Sequence, residues 1–388
     1  MTGSRRTGCR WICCVQRNVS VILLLCCSLF VSATGVAAGR SAANASLDYK
    51  IGQMLMVGFR GTALNDGHFI LRDIRRHHLG GVILFDYDVL TRQPGRNITS
   101  PQQLKNLIAV LQQATLTPLL VAVDQEGGRV ARLKPEYGFD RTVSHAELGR
   151  LDEPQATYSA SAEIAVTLAK VGINVNFAPV VDLCINPDNP VIARLERCFS
   201  AQPDEVTLHA RQFILAHKTQ GVTAVIKHFP GHGSSHSDSH LGFVDVTNSW
   251  TERELVPYTK LLETGEVQAL MTAHVFNANL DADHPATLSH STITGLMRGQ
   301  LGFAGVVFSD DLQMGAISEH YGLDQAVRLT LEAGVDILLF GNNLDYDPEI
   351  VPRVVNILRN LVATGVISER RIDESYRRIM RLKRVVVQ

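Results

Sequence analysis

Eight short apolar runs, separated by helix-like stretches, constrain the fold of this chain more than any other feature. They are Met54–Phe59, Gly81–Phe85, Leu119–Val123, Val175–Val181, Ala224–Ile226, Ala269–Ala273, Val306–Phe308 and Ile337–Phe340. The runs are short, rich in β-branched residues and almost continuously apolar. A strand with no polar alternation is buried on both faces, which is the situation of parallel strands covered by helices. Eight such units predict an α/β fold, a single (β/α)8 TIM-type barrel with long βα loops. No linker-like composition break divides residues 46–388, so they are predicted to form one domain.

Polar groups follow the runs. Run three ends in Asp124-Gln125-Glu126-Gly127-Gly128-Arg129, and run four continues to Asp182. Run five leads into Lys227 and His228, run six into His274, run seven into Ser309-Asp310-Asp311 and run eight into Gly341-Asn342-Asn343. Barrel enzymes carry their chemistry at the C-terminal ends of the strands. Asp and Asn are also common helix N-caps, but six ends sharing the pattern point to a site.

The densest cluster is Lys227-His228-Phe229-Pro230-Gly231-His232-Gly233, followed by Asp238-Ser239-His240. One Pro and two Gly rule out a regular helix through it. Histidines at 228, 232, 236 and 240 have the spacing of a metal-binding helix face, but the same residues argue against that helix. No metal and no cofactor is assigned. Asp238 and His240 read better as a pair: a carboxylate on one ring nitrogen sets the tautomer, and the other nitrogen is free to move a proton.

The bulk composition excludes some partners. The chain has 388 residues and a formal net charge of −1. Its cations are spread out, so there is no electrostatic footprint for nucleic acid. The basic run from Glu369 to Arg384 carries Ile372, Tyr376, Ile379 and Leu382 at helical spacing and predicts a C-terminal helix with a solvated basic face. Residues 1–45 differ in kind: Arg5, Arg6, Arg10 and Arg17 precede the apolar run Val21–Val31, and small residues offer cleavage after Ala38 or Ala45. This is the pattern of a secretory signal peptide, or of an N-terminal membrane anchor if it is not cleaved. Bulky Leu25 makes Cys26 a poor lipidation site. Five of seven Cys lie in this leader; export would let the remaining Cys184 and Cys198 pair. Contact with a membrane is expected only through the leader, and the protein is expected to be a monomer, exported to a periplasmic or secreted location.

A carboxylate at a strand end, Asp310, and an Asp-oriented imidazole are the minimum set for glycosidic cleavage with retention. Asp311 is read as an alternative helix cap. Asp124 and Arg132 suit hydroxyl recognition, the first as acceptor and the second as a planar fork of donors, and Lys227 and His228 add donors on the same rim. Of Arg129 and Arg132, one is expected in a structural ion pair.

The segments DQEGGRVARL (124–133), NFAPVVDL (176–183), KHFPGHG (227–233) with DSH (238–240), MTAHV (271–275) and FSDDLQMGAI (308–317) resemble the glycoside hydrolase family 3 β-N-acetylhexosaminidases of the bacterial peptidoglycan-recycling type. The resemblance spans the whole body. It implies Asp310 as nucleophile, His240 as acid/base with Asp238 as its partner, and sugar contacts from Asp124, Arg132, Lys227 and His228. A further family arginine falls in 189–200, where Arg197 matches best because Phe199 follows two residues on. The segment is longer than the family pattern, and Cys198 replaces its usual small residue. The implied substrate is a small saccharide with terminal β-linked N-acetylglucosamine. Phosphorolysis, a broader β-glycosidase activity, a non-catalytic sugar-binding protein and a metal hydrolase are the competing readings.

Overall fold

The computed structural model describes residues 45–240 and 242–386. The leader residues 1–44 lie outside this range. All eight apolar runs form strands: β1 Leu55–Gly58, β2 Gly81–Ile83, β3 Leu120–Val123, β4 Val175–Asn176, β5 Thr223–Phe229, β6 Ala269–Thr272, β7 Val306–Phe308 and β8 Leu338–Phe340. Each pairs in parallel with its sequence neighbours, and β1 pairs with β8 in the register Leu55↔Leu338. The last seam, between β7 and β8, is closed by the Phe308↔Ile337 bridge. There the Ser309 amide donates to the Ile337 carbonyl at 2.9 Å, and the Ile337 amide to that of Val307 at 3.0 Å. The closed barrel leaves no sheet edge.

The strand interiors are fully buried, as continuous apolar runs require. Inside the barrel Phe177 and Phe308 meet edge to face with centroids 5.3 Å apart. Run four is a correction: regular pairing covers only Val175–Asn176, and the chain rejoins β5 as a single bridge, Val180↔Lys227. Pro179 lacks the amide that a continuous ladder needs there. Helices cover the outside. Pro101–Gln113 starts where the Ser100 hydroxyl accepts from the Gln103 amide and Pro occupies the first turn, where no amide partner is needed.

The C-terminal helix Glu369–Val386 buries Ile372, Tyr376, Ile379 and Leu382 as its periodicity predicts. Its basic face is not wholly solvated, which corrects the reading above. Buried Asp336, just before β8, accepts from Arg378 at 3.0 Å, Arg298 at 2.8 Å and the Ser375 hydroxyl at 2.6 Å, and also from the Val307 amide at 3.0 Å. Lys383 is turned in to Gln53 and the Gly80 carbonyl at 2.6 and 2.8 Å, and burial pushes its ammonium down to about 7. Asp336 carries a buried charge that needs cations beside it, and the Lys383 ammonium, itself buried, takes the neutral oxygens of Gln53 and Gly80. Asp336 thus joins the helix to β7 and β8.

Removing one member of a buried ionic cluster leaves the others uncompensated. Asp336→Ala is therefore expected to destabilise the protein by about 3–5 kcal/mol in urea unfolding. A loss under ~1 kcal/mol would show that the cluster is held no more tightly than a surface pair.

Candidate active site

The C-terminal ends of the strands surround a cavity of about 400 Å³, within the usual range for small-molecule sites. Asp310, His240, Asp124, Arg132, Arg197, Lys227 and His228 all line it. Asp238 stands behind His240 and does not line the cavity itself.

Asp310 follows β7 directly. One carboxylate oxygen, Oδ1, accepts the Asp311 amide at 2.8 Å; among the described residues Oδ2 has no hydrogen-bond partner. Burial acts to raise this carboxyl, but His274, His228, His240 and the Asp311 amide outweigh it and hold the group below the ordinary carboxylate range. Asp311 behaves oppositely. Its Oδ1 accepts the Gly341 amide at 2.9 Å and the Gln313 amide at 3.1 Å, so it ties the loop after β7 to the end of β8. Burial raises it to about 6 despite those bonds. Neighbouring acids thus split into a free anion and a structural acceptor.

The Asp238 carboxylate accepts both the backbone amide of His240 at 2.8 Å and its Nδ1–H at 2.7 Å. The pairing is a two-residue turn, which a spacing of two permits. It puts the ring proton on Nδ1 and leaves Nε2 without a partner among the described residues. The imidazole is half exposed, with 49% of its side chain accessible. Partial desolvation lowers its pKa, but the Asp238 hydrogen bond and the Asp310 charge outweigh this and raise it above its ordinary value. Backbone amides of Gly315 and Ala316, in the short helix Gly315–Ser318 that follows β7, donate to the carbonyls of His240 and Ser239, each at 3.3 Å. The histidine loop is thereby attached to the segment that carries Asp310.

The other three histidines point to different partners, as the lack of a helix requires. His228 bonds Asp182 through Nδ1 at 2.6 Å, and its Nε2 lies 3.2 Å from the Arg197 guanidinium. Arginine only donates, so the His228 proton sits on Nδ1. His232 is buried between Ser235 and Ser239 at 2.8 and 3.3 Å, and burial lowers it to about 4. His236 is exposed and meets Asn186 at 3.1 Å. The two glycines of the loop answer to packing. A Cβ on Gly231, at φ +123°, would lie 2.7 Å from Glu254 Cβ, and one on Gly233 would lie 1.9 Å from the Leu183 carbonyl oxygen. Under them, Asp182 accepts the His232 amide and Glu254 the Gly233 amide, at 2.8 and 2.9 Å. Burial pushes Glu254 up to about 7.

Lys227 is a correction to the rim reading. It is 2% exposed and lies on the cavity floor, with Nζ 2.8 Å from Asp124 and 2.7 Å from Glu126. Arg197 forks Glu126 at 2.8 and 2.7 Å. Burial would raise Glu126, but Arg197 and Lys227 keep it well below the ordinary carboxylate range. Arg132 is the arginine found in an ion pair, 3.5 Å from Asp124 and 3.9 Å from Asp86; Arg129 has no carboxylate partner among the described residues. Burial would raise Asp124 as well, yet Lys227 and Arg132 lower it.

Glu126, Asp182 and Asp86 carry structural parts of the site that sequence reasoning did not assign. Asp86 follows β2, lines the cavity and pairs with Lys134 at 2.6 Å. The available signal was charge balance: Arg132, Lys227 and Arg197, all predicted at the mouth of a barrel, need anions beside them. Cys184 and Cys198 form a disulfide with Cα atoms 5.6 Å apart. It closes the segment whose Val191, Ile192 and Arg197 line one cavity wall.

Residues 46–382 match the family model for the glycosyl hydrolase family 3 N-terminal domain. The chain belongs to glycosyl hydrolase family 3. Among curated relatives of this family 3 chain are the β-hexosaminidase of Tolumonas auensis, 40% identical over 70% of this chain and 78% of that one, and the β-hexosaminidase LpqI of Mycobacterium tuberculosis, 33% identical over 86% and 82%. The β-hexosaminidase A of Pseudoalteromonas piscicida is 34% identical over 80% of this chain, which spans 54% of that protein's length. Among solved structures, the family 3 β-N-acetylglucosaminidase of Paenibacillus sp. superposes with a TM-score of 0.81 and 36% identity, covering 88% of this chain and 63% of its own.

A disulfide closing a loop of this length contributes about 3 kcal/mol in the chain-entropy account. Replacing Cys184 and Cys198 by Ser together is expected to lower unfolding free energy by about that amount. Unchanged denaturant midpoints for the double variant would show that the segment is held by its packing alone.

Proposed function

We propose that this chain is a retaining β-N-acetylhexosaminidase that releases terminal β-linked N-acetylglucosamine from peptidoglycan fragments or related saccharides. One observation carries the reading: a carboxylate oxygen of Asp310 that has no partner among the described residues and the Asp238-oriented imidazole of His240 line the same cavity. The names of the curated relatives support the activity.

Asp310 Oδ2 attacks the anomeric carbon while His240 Nε2–H gives its proton to the departing glycosidic oxygen. The bond to the aglycone breaks and a glycosyl–Asp310 ester forms. Neutral His240 then takes a proton from water, the water oxygen bonds to the anomeric carbon, and Asp310 leaves as a carboxylate with configuration retained. Asp238 holds the ring and stabilises its cation. Asp124, Arg132, Lys227, His228 and Arg197 bind the sugar, with their mutual ion pairs fixing where each donor and acceptor lies.

The N-terminal pattern of basic, apolar and small residues suggests export, and a disulfide in the body fits an oxidising compartment. Among the described residues no helix is long and apolar enough to cross a membrane.

The active form needs Asp310 ionised and His240 protonated. Asp310 is depressed, so activity is lost only as pH falls below the ordinary value of 3.8; His240 is raised, so activity is lost as pH rises above the ordinary 6.5. The kcat/KM profile is expected to be a bell with limbs outside those two values. Asp238→Asn removes the bond that favours the imidazolium and is expected to move the basic limb to lower pH; a limb that stays put would remove Asp238 from this role. Asp310→Ala should nearly abolish turnover of an aryl N-acetyl-β-glucosaminide. In kcat/KM, which reports formation of the glycosyl ester, His240→Ala should cost roughly 10²–10⁴-fold on saccharide substrates and far less on aryl glycosides, whose leaving groups need little protonation. Equal losses on both would contradict the acid role.

A further inference from the structure

Of the side chains that line the cavity, Tyr87, Val89, Arg129 and His240 are exposed; the rest are buried or partly buried. These four therefore mark the mouth. Ion-paired groups around Asp124, Glu126 and Lys227 fill the floor, so a hexose seated there extends to solvent past the mouth. The proposed acid, His240, stands at that mouth, and the leaving oxygen must lie against it. Whatever is attached to that oxygen has to rest on the rim.

Two of the four rim side chains are apolar. Tyr87 is 41% and Val89 45% exposed, and the next residue, Leu90, is 50% exposed. Single exposed apolar residues need no explanation, but two on the cavity mouth with a third beside them in the chain do. The ribbon that presents them, Tyr87–Asp88 paired with Gln93–Pro94, is rigidly held. Asn343 at the end of β8 clamps it on both sides of Asp88, donating to the Tyr87 carbonyl at 3.1 Å and accepting the Val89 amide at 3.0 Å. Asp88, pointing inward, accepts Arg60 at 2.7 and 3.1 Å, Arg96, and the Thr91 amide at 2.9 Å. A charged anchor on one face of a ribbon and an exposed apolar face on the other make a preorganised shelf, whose ordering cost is met before any ligand arrives.

We infer that Tyr87 and Val89 form an aglycone subsite that takes a ring with an apolar face, such as a second pyranose, immediately beyond the scissile bond. The inference rests on the hydrolase reading above for which side of the sugar faces the mouth. Packing a pyranose face on Tyr87 and Val89 removes apolar surface from water on both partners. A methyl aglycone has too little surface to do this, and its difference in leaving-oxygen basicity is the same in wild type and variants.

The test compares N,N′-diacetylchitobiose with methyl N-acetyl-β-glucosaminide in the wild type, Tyr87→Ser and Val89→Ser. Wild type is expected to favour the disaccharide in kcat/KM by at least ~10-fold, in line with the worth of an apolar contact in a specificity pocket. Each variant should shrink that preference several-fold, and the double variant should bring it near unity. Both side chains are solvent exposed, so the substitutions leave the barrel core untouched. A preference that survives in the double variant, or one absent from wild type, would overturn the assignment. Calorimetric binding of diacetylchitobiose against N-acetylglucosamine to Asp310→Asn, with and without Tyr87→Ser, makes the same comparison without turnover. Loss of the disaccharide preference there with no hydrolysis by wild type would fault the hydrolase reading and keep the shelf. Retention of the preference would remove the shelf whatever the activity.

Discussion

Charge cannot be buried at the mouth of this barrel without a partner, and the floor of the cavity is organised around that requirement. Lys227 sits between Asp124 and Glu126, and Glu126 in turn holds Arg197. Each of these groups would be costly alone, and removing any one leaves an uncompensated neighbour. The consequence for function is geometric. Asp124 and Arg197 cannot swing toward a ligand, because Lys227 holds the first and Glu126 the second, so the pocket presents a preset pattern of donors and acceptors. A second pair of carboxylates, Asp182 and Glu254, does the same for the loop after β5 by accepting the His232 and Gly233 amides.

Rigidity is distributed unequally between the two groups proposed to do the chemistry. Asp310 belongs to the end of β7 and inherits the stiffness of the sheet. His240 lies on a loop, half exposed, twelve positions beyond His228 at the end of β5. What offsets this is local: the Asp238 turn sets the ring, and the Gly315 and Ala316 amides hold the loop backbone. Because those amides belong to the segment that follows Asp310, the two groups are tied to one another through a short path as well as through the barrel. The electrostatics are coupled in the same way, since the Asp310 anion raises His240 and the imidazole helps lower Asp310.

The barrel was legible because continuous apolar runs report burial on both faces, and all eight became strands. Run four was overestimated where Pro179 breaks the ladder, a local rule that periodicity alone does not apply. Asp238 and His240 were legible because their contact is local, two residues apart. Glu126, Asp182 and Asp86 were not, because their roles depend on partners distant in the chain: His228 is 46 residues from Asp182, and Arg197 is 71 from Glu126. The inward-facing cations of the C-terminal helix escaped for the same reason, since Asp336 lies outside the helix that it anchors. Lys227 was placed on the rim because a strand end suggests exposure; its two carboxylate partners draw it to the floor.

The central claim is that Asp310 forms a covalent bond to the sugar while His240 manages the proton. The most direct measurement is intact-mass analysis of His240→Ala after incubation with an aryl N-acetyl-β-glucosaminide, followed by peptide mapping. Without the base that activates water, the second step slows more than the first, and the account predicts accumulation of a single hexosaminyl adduct on the peptide containing Asp310. An adduct on another residue, or turnover of the aryl glycoside with no adduct and inverted product, would contradict it.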